Sequence, residues 1–130
     1  MTKPIGIAVV WSQDHVLVGL RAHNTVLAGM SEFPGGKCEL DETPRSCAVR
    51  ECQEETGLVV IPVKQLATVL WKYPHGDVEL HFWKCQLAPD LPPLATPSSP
   101  FRWVTPQEAS QLAFPPANQS VLQTLLTPHS

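Results

Sequence analysis

Long apolar runs are missing from this chain. No stretch approaches the roughly 20 consecutive apolar residues of a membrane-crossing helix, so no membrane partner is expected. Basic clusters are missing too. Nine Lys and Arg stand against twelve Asp and Glu, a formal net charge of −3, which argues against a nucleic-acid polymer as the main partner. Cysteine is sparse. Cys38, Cys47, Cys52 and Cys85 contain no C-x-x-C pair, so a zinc site is not expected. They read as reduced thiols of a cytoplasmic protein. Met1-Thr2-Lys3-Pro4 leads straight into a strand-like run, which is no signal peptide. The five histidines are scattered without ligand spacing and are assigned no role. Internal repeats are absent.

What is present fits one domain spanning residues 1–130, long enough for a sizeable core. Ile5–Trp11 and Val16–Arg21 read as strands joined at a turn, with a loop over Ala22–Ser31 before a short strand at Glu32-Phe33. Thr43 can cap a helix that has Pro44 in its first turn and is stopped by Gly57, which predicts a helix over Pro44–Thr56. Leu58–Val63, Leu66–Tyr73 and Val78–Leu87 read as strands, the last two as a hairpin about Pro74–Asp77. Ala88–Pro100 is proline-rich and reads as a stiff exposed connector. Phe101–Val104 is a last strand. Thr105-Pro106-Gln107-Glu108 is a capping box for a short helix to Leu112, and Ala117–Leu126 carries the apolar stripe of a final helix. The four tryptophans read as core or packing residues. The class is α/β, a mixed sheet flanked by helices.

The chemistry concentrates between Gly36 and Leu58. Glu51, Glu54 and Glu55 fall three and four apart on the predicted helix, so they share a face. Like charges so placed repel unless a cation sits among them, and Mg²⁺ prefers carboxylate and phosphate oxygens. A solvated acidic face would explain the carboxylates but not the glycines Gly35, Gly36 and Gly57.

This run, Gly36-x5-Glu42-x7-Arg50-Glu51-Cys52-Gln53-Glu54-Glu55-Thr56-Gly57-Leu58, resembles the Nudix box, with Cys52 a small substitute at one apolar position. Glu32-Phe33-Pro34-Gly35-Gly36-Lys37 is similar to the lead-in of MutT-type members, and Phe114-Pro115-Pro116-Ala117-Asn118 to their base-reading segment. The resemblance implies the Nudix α/β/α sandwich and Mg²⁺ as cofactor, with Mn²⁺ as a substitute. It implies metal ligation by Glu51, Glu54, Glu55 and the Gly35 carbonyl. Gly36, Glu42, Arg50 and Gly57 would serve the motif structurally, with Glu42 paired to Arg50. Glu51 or Glu54 is the candidate catalytic base. Lys37 and Arg102 are each open between meeting phosphate and being solvated or salt-bridged.

Asn118 offers an acceptor and a donor suited to a purine edge, or it caps a helix. Phe33 and Tyr73 are candidate walls for a base, or core. Arg21 matches the place of a phosphate-contacting arginine in the family, or it is an exposed arginine at a strand end. The implied activity is hydrolysis of a nucleoside triphosphate to the monophosphate and pyrophosphate, with 8-oxo-dGTP the preferred substrate, by a monomer or homodimer. CTP or another pyrimidine nucleotide, dinucleoside polyphosphates and nucleotide sugars are the alternatives. A non-catalytic nucleotide sensor is disfavoured, because the box keeps all three carboxylates.

Overall fold

Residues alternate in side along each strand, and in β1 (Lys3–Ser12) both sides are apolar: Ile7 and Val9 face one way, Ala8 and Val10 the other. Such a strand belongs at the centre of a sheet covered on both faces. The structure, a computed structural model, describes residues 2–22, 28–74 and 76–126. Among these residues β1 is joined by β2 (His15–Leu20), β3 (Ser31–Glu32), β4 (Gly35–Lys37), β5 (Val60–Tyr73), β6 (Gly76–Leu87) and β7 (Arg102–Val104) in one sheet. The order is β3-β2-β1-β6-β5, with β4 also on β1 and β7 on β2. β1 and β6 run parallel and the other pairs antiparallel, so the sheet is mixed.

The helix α1 (Pro44–Thr56) covers one face, where Ala48 and Cys52 pack on Ala8, Val10, Leu17 and Cys85. The helices α2 (Pro106–Ser110) and α3 (Gln119–Leu126) cover the other, bringing Ala109, Val121, Leu122 and Leu125 onto Val9, Val18 and Phe82. The result is the expected α/β/α sandwich.

α1 has the bounds its sequence predicts. The Thr43 side chain accepts a bond from the Ser46 N–H at 3.1 Å, Pro44 opens the first turn, and Gly57 closes the helix in the left-handed conformation at φ 78°. Its close approach to the sheet depends on Gly6. A Cβ there would lie 2.5 Å from the Pro44 carbonyl oxygen.

Several elements differ from expectation. The two strands expected over Leu58–Val63 and Leu66–Tyr73 are one, β5, which begins at Val60 and whose register shifts between Pro62 and Lys64 and between Gln65 and Ala67. These irregularities absorb the apparent break without ending the pairing. The short strand expected at Glu32-Phe33 is Ser31–Glu32, and the glycine-rich β4 follows it. The last helix begins at Gln119, after a 3₁₀ turn over Pro116–Asn118, and the short one ends at Ser110. The proline-rich connector is tied down: Ala88 and Ala95 are buried, the Ser98 N–H donates to Thr56 O, and Trp103 Nε1 donates to Ala95 O.

The site depends on how β1 shares one edge. β4 pairs with it at Ile5–Ile7 and β2 at Trp11–Ser12, while the Ala8 N–H between them donates to Pro34 O at 2.8 Å. The segment Pro34–Lys37 is thereby laid along β1 and under α1.

Candidate active site

The carboxylates of α1 are organised first by an arginine. Arg50 Nε donates to Glu42 Oε2 at 2.7 Å and Nη2 to Glu42 Oε1 at 2.9 Å, a two-pronged pairing. Nη2 also donates to Lys37 O at 3.1 Å. Nη1 donates to Glu51 Oε1 and to both oxygens of Glu54, each at 2.9 Å. One guanidinium thus ties the loop after β4 to α1 and holds two of the three box glutamates. The pairing holds the Glu42 carboxyl down at about 2 and raises Arg50 above its ordinary value.

Glu55 takes no part in that fan. It accepts from the Gly35 backbone N–H, and burial, then the charges of Glu32 and Glu51, push its carboxyl up to about 8. Glu32 is half-buried, and burial raises its carboxyl against the opposing pull of Arg21, whose Nη1 lies 3.4 Å away. The Glu51 carboxylate lies so close to Gly36 that a Cβ there would overlap it. Glu32, Glu51 and Glu55 therefore crowd around Gly35 and Gly36. Among the described residues no three His, Cys, Asp or Glu side chains already close on a single point. The glutamates are brought to one loop but are shared between Arg50 and that crowd. A half-buried excess of carboxylate oxygens beside backbone carbonyls is a donor set that fits a hard divalent cation.

Gly35, Gly36 and Lys37 also form part of the wall of a cavity of about 420 Å³ on the opposite face of the sheet from α1. Arg21, Glu32, Phe33, Tyr73 and Asn118 line the same cavity, with Ile5, Ile7, Val78 and Leu80 on its sheet side. Its size is that of a small-molecule site. Phe33 is both wall and core: it is buried and packs on Phe114, ring centroids 4.9 Å apart. Tyr73 is half-buried. Asn118 Nδ2 donates to Pro115 O at 3.2 Å. That bond orients the amide and leaves its oxygen and second N–H for a ligand.

The structure joins Arg21, Phe33, Gly35, Tyr73 and Asn118 in one cavity, with Glu51 and Glu55 at its glycine wall and Glu54 held by Arg50. Arg102 is not among the lining residues. It is exposed on β7, and its charge acts on Glu108 of α2. Sequence reasoning assigned no role to Glu32. The available signal was a carboxylate directly before Phe33-Pro34-Gly35-Gly36, a place that the pairing of β3 with Gly19 and Leu20 turns toward the cavity.

Residues 6–124 match the family model for the NUDIX domain. The chain is 29% identical over 122 residues to the 8-oxo-dGTP diphosphatase of Escherichia coli (strain K12), covering 93% of this chain and 94% of that protein. It is 29% identical over 121 residues to the CTP pyrophosphohydrolase of the same strain, covering 92% and 87%. The solution structure of the MutT protein from methicillin-resistant Staphylococcus aureus 252 resembles it with a TM-score of 0.73 and 30% identity, over 97% of this chain and 98% of that one.

Proposed function

The chain belongs to the Nudix family of hydrolases, and from that premise we propose that it converts a nucleoside triphosphate to the monophosphate and pyrophosphate. The preferred substrate is an oxidised purine nucleotide, 8-oxo-dGTP above all. The observation that carries this reading is that one cavity holds both the Gly35-Gly36-Lys37 segment and the oriented amide of Asn118. A base held between Phe33 and Tyr73 meets an acceptor and a donor on Asn118, the pair that a purine edge matches. Its phosphates then extend toward Arg21 and Lys37.

In this reading Glu51, Glu54, Glu55 and the Gly35 carbonyl hold Mg²⁺. The bound ion supplies Lewis-acid polarisation of the phosphates and a lowered water pKa. Arg50 positions Glu51 and Glu54 by its Nη1 bonds. Glu54, the more exposed of the two, takes the proton of the attacking water as the phosphoanhydride P–O bond breaks.

The test is pyrophosphate release from a panel of nucleotides with Mg²⁺. Turnover of 8-oxo-dGTP is expected, and Glu54→Gln should lower kcat by about 10²–10⁴-fold with the fold intact. No pyrophosphate from any nucleotide would sink the proposal. CTP is the competing substrate, since the relative of that name is as similar as the one named for 8-oxo-dGTP. Asn118→Ala separates the two. Loss of preference for the oxidised purine supports the first substrate, and an unchanged preference supports the second.

A further inference from the structure

One carboxylate of the cavity has no task in hydrolysis or in holding the ion. Glu32 lines the cavity together with Phe33 and Asn118, and its side chain is 29% exposed. Its place is fixed from both sides. The Ser31 N–H donates to Ala113 O at 2.7 Å, and Phe33 packs on Phe114 with ring centroids 4.9 Å apart. The residues before and after Glu32 are thus both bound to the segment that runs on to Asn118. Gly19 of β2 pairs with Glu32 itself. The carboxylate and the Asn118 amide therefore belong to one frame.

This carboxylate is under-satisfied. Among the described residues its side-chain partner is Arg21, whose Nη1 lies 3.4 Å from Oε1, near the outer limit of a hydrogen bond. An ionised carboxylate accepts at about four lone-pair sites and donates at none. A ligand that brought N–H groups into the cavity would fill the sites that Arg21 leaves open.

We propose that Glu32 is a specificity-determining residue, which accepts from N1–H and the 2-amino group of a 6-oxo-2-aminopurine and so selects guanine-type bases. This rests on the proposed binding of a purine nucleotide in the cavity and names which purine it is. Two adjacent donors on one edge of the base match the two oxygens of one carboxylate, and such a pairing is charge-assisted. An adenine-type base sets the lone pair of N1 beside its 6-amino group. Cytosine sets that of N3 beside its 4-amino group. Either would offer one donor and aim a lone pair at the other oxygen. Asn118 is left for the neighbouring edge, with its oxygen and second N–H. Arg21 supports the same role, because its charge pulls against the burial that raises the Glu32 carboxyl.

The test removes the 2-amino group and nothing else. Binding of 8-oxo-dGMP and of 8-oxo-dIMP, which lacks that group, is measured by calorimetry on the native protein, Glu32→Ala and Glu32→Gln. The native protein should hold 8-oxo-dGMP about 10- to 100-fold more tightly, the range for a hydrogen bond to a charged group. In Glu32→Ala the ratio should fall to near one, through weaker binding of 8-oxo-dGMP. Glu32→Gln keeps one acceptor and should fall between the two. If Glu32→Ala does not fold, a ratio in Glu32→Gln equal to the native one decides against the proposal. A residue that only positioned Arg21 would weaken both ligands alike and leave the ratio unchanged, and that result overturns the proposal. So does equal binding of the two ligands by the native protein, or binding of neither. The measurement needs no turnover. Pyrophosphate release from nucleotides with no 2-amino contrast sinks the role of Glu32 alone, whereas the contrast without any release sinks the proposed hydrolysis alone.

Discussion

Glu55 is the residue whose ionisation the fold opposes most plainly. It is surrounded by Glu32 and Glu51, partly withdrawn from water, and its carboxyl stands at about 8. An acid whose pKa is raised on folding binds its proton more tightly in the folded state. Its contribution to stability is complete below the unfolded value, near 4.5, and is lost as pH rises through about 8. The Tm of the cation-free protein should therefore fall between pH 5 and pH 9 by more than that of Glu55→Gln, and thermal denaturation across that range checks it. Equal slopes would remove Glu55 as the cause. Mg²⁺ should flatten the native curve, since a cation bound to the carboxylate replaces the proton. Glu42 runs the other way. Its pairing with Arg50 lowers its carboxyl to about 2, so its contribution is present above about 4.5 and fades only in strong acid.

Elements were legible in the sequence where their ends carry their own signals. α1 is bounded by Thr43, Pro44 and Gly57, and each acts locally in the structure as its residue type dictates. The element also yields a test. Gly57 sits at φ 78°, where a side chain costs about 1–2 kcal/mol. Gly57→Ala should lower stability by that amount in urea denaturation, and an unchanged midpoint would show that α1 does not depend on this cap. β4 was illegible because Gly35 and Gly36 have no strand preference, and their pairing comes from the β1 edge opposite them. β5 read as two strands because local sequence does not reveal that β6 can run past an irregular register. The candidate site divides along the same line. The α1 glutamates and Asn118 lie in contiguous motifs, whereas Glu32 matters only because the sheet carries it beside Glu55.

At the scale of the whole molecule, the sheet separates two cores, and the described cavity opens on the face opposite α1. Both cores are apolar and neither contains the box carboxylates, so nothing central to the fold waits on an ion. Stripping divalent cations with EDTA at pH 7 should leave the Tm within a few degrees of the native value while abolishing turnover, a comparison that calorimetry and a pyrophosphate assay make on one sample. Loss of cooperative unfolding on chelation would mean that the ion is part of the architecture. The fan of bonds from Arg50 explains the expected independence. Its guanidinium is a permanent internal counter-ion, wired into the chain and never lost to dilution. It pairs with Glu42, Glu51 and Glu54 and offsets part of their charge. On the proposed reading, the protein is expected to fold first and load a divalent ion afterwards, so that an interval of metal starvation would cost it activity without costing it its shape.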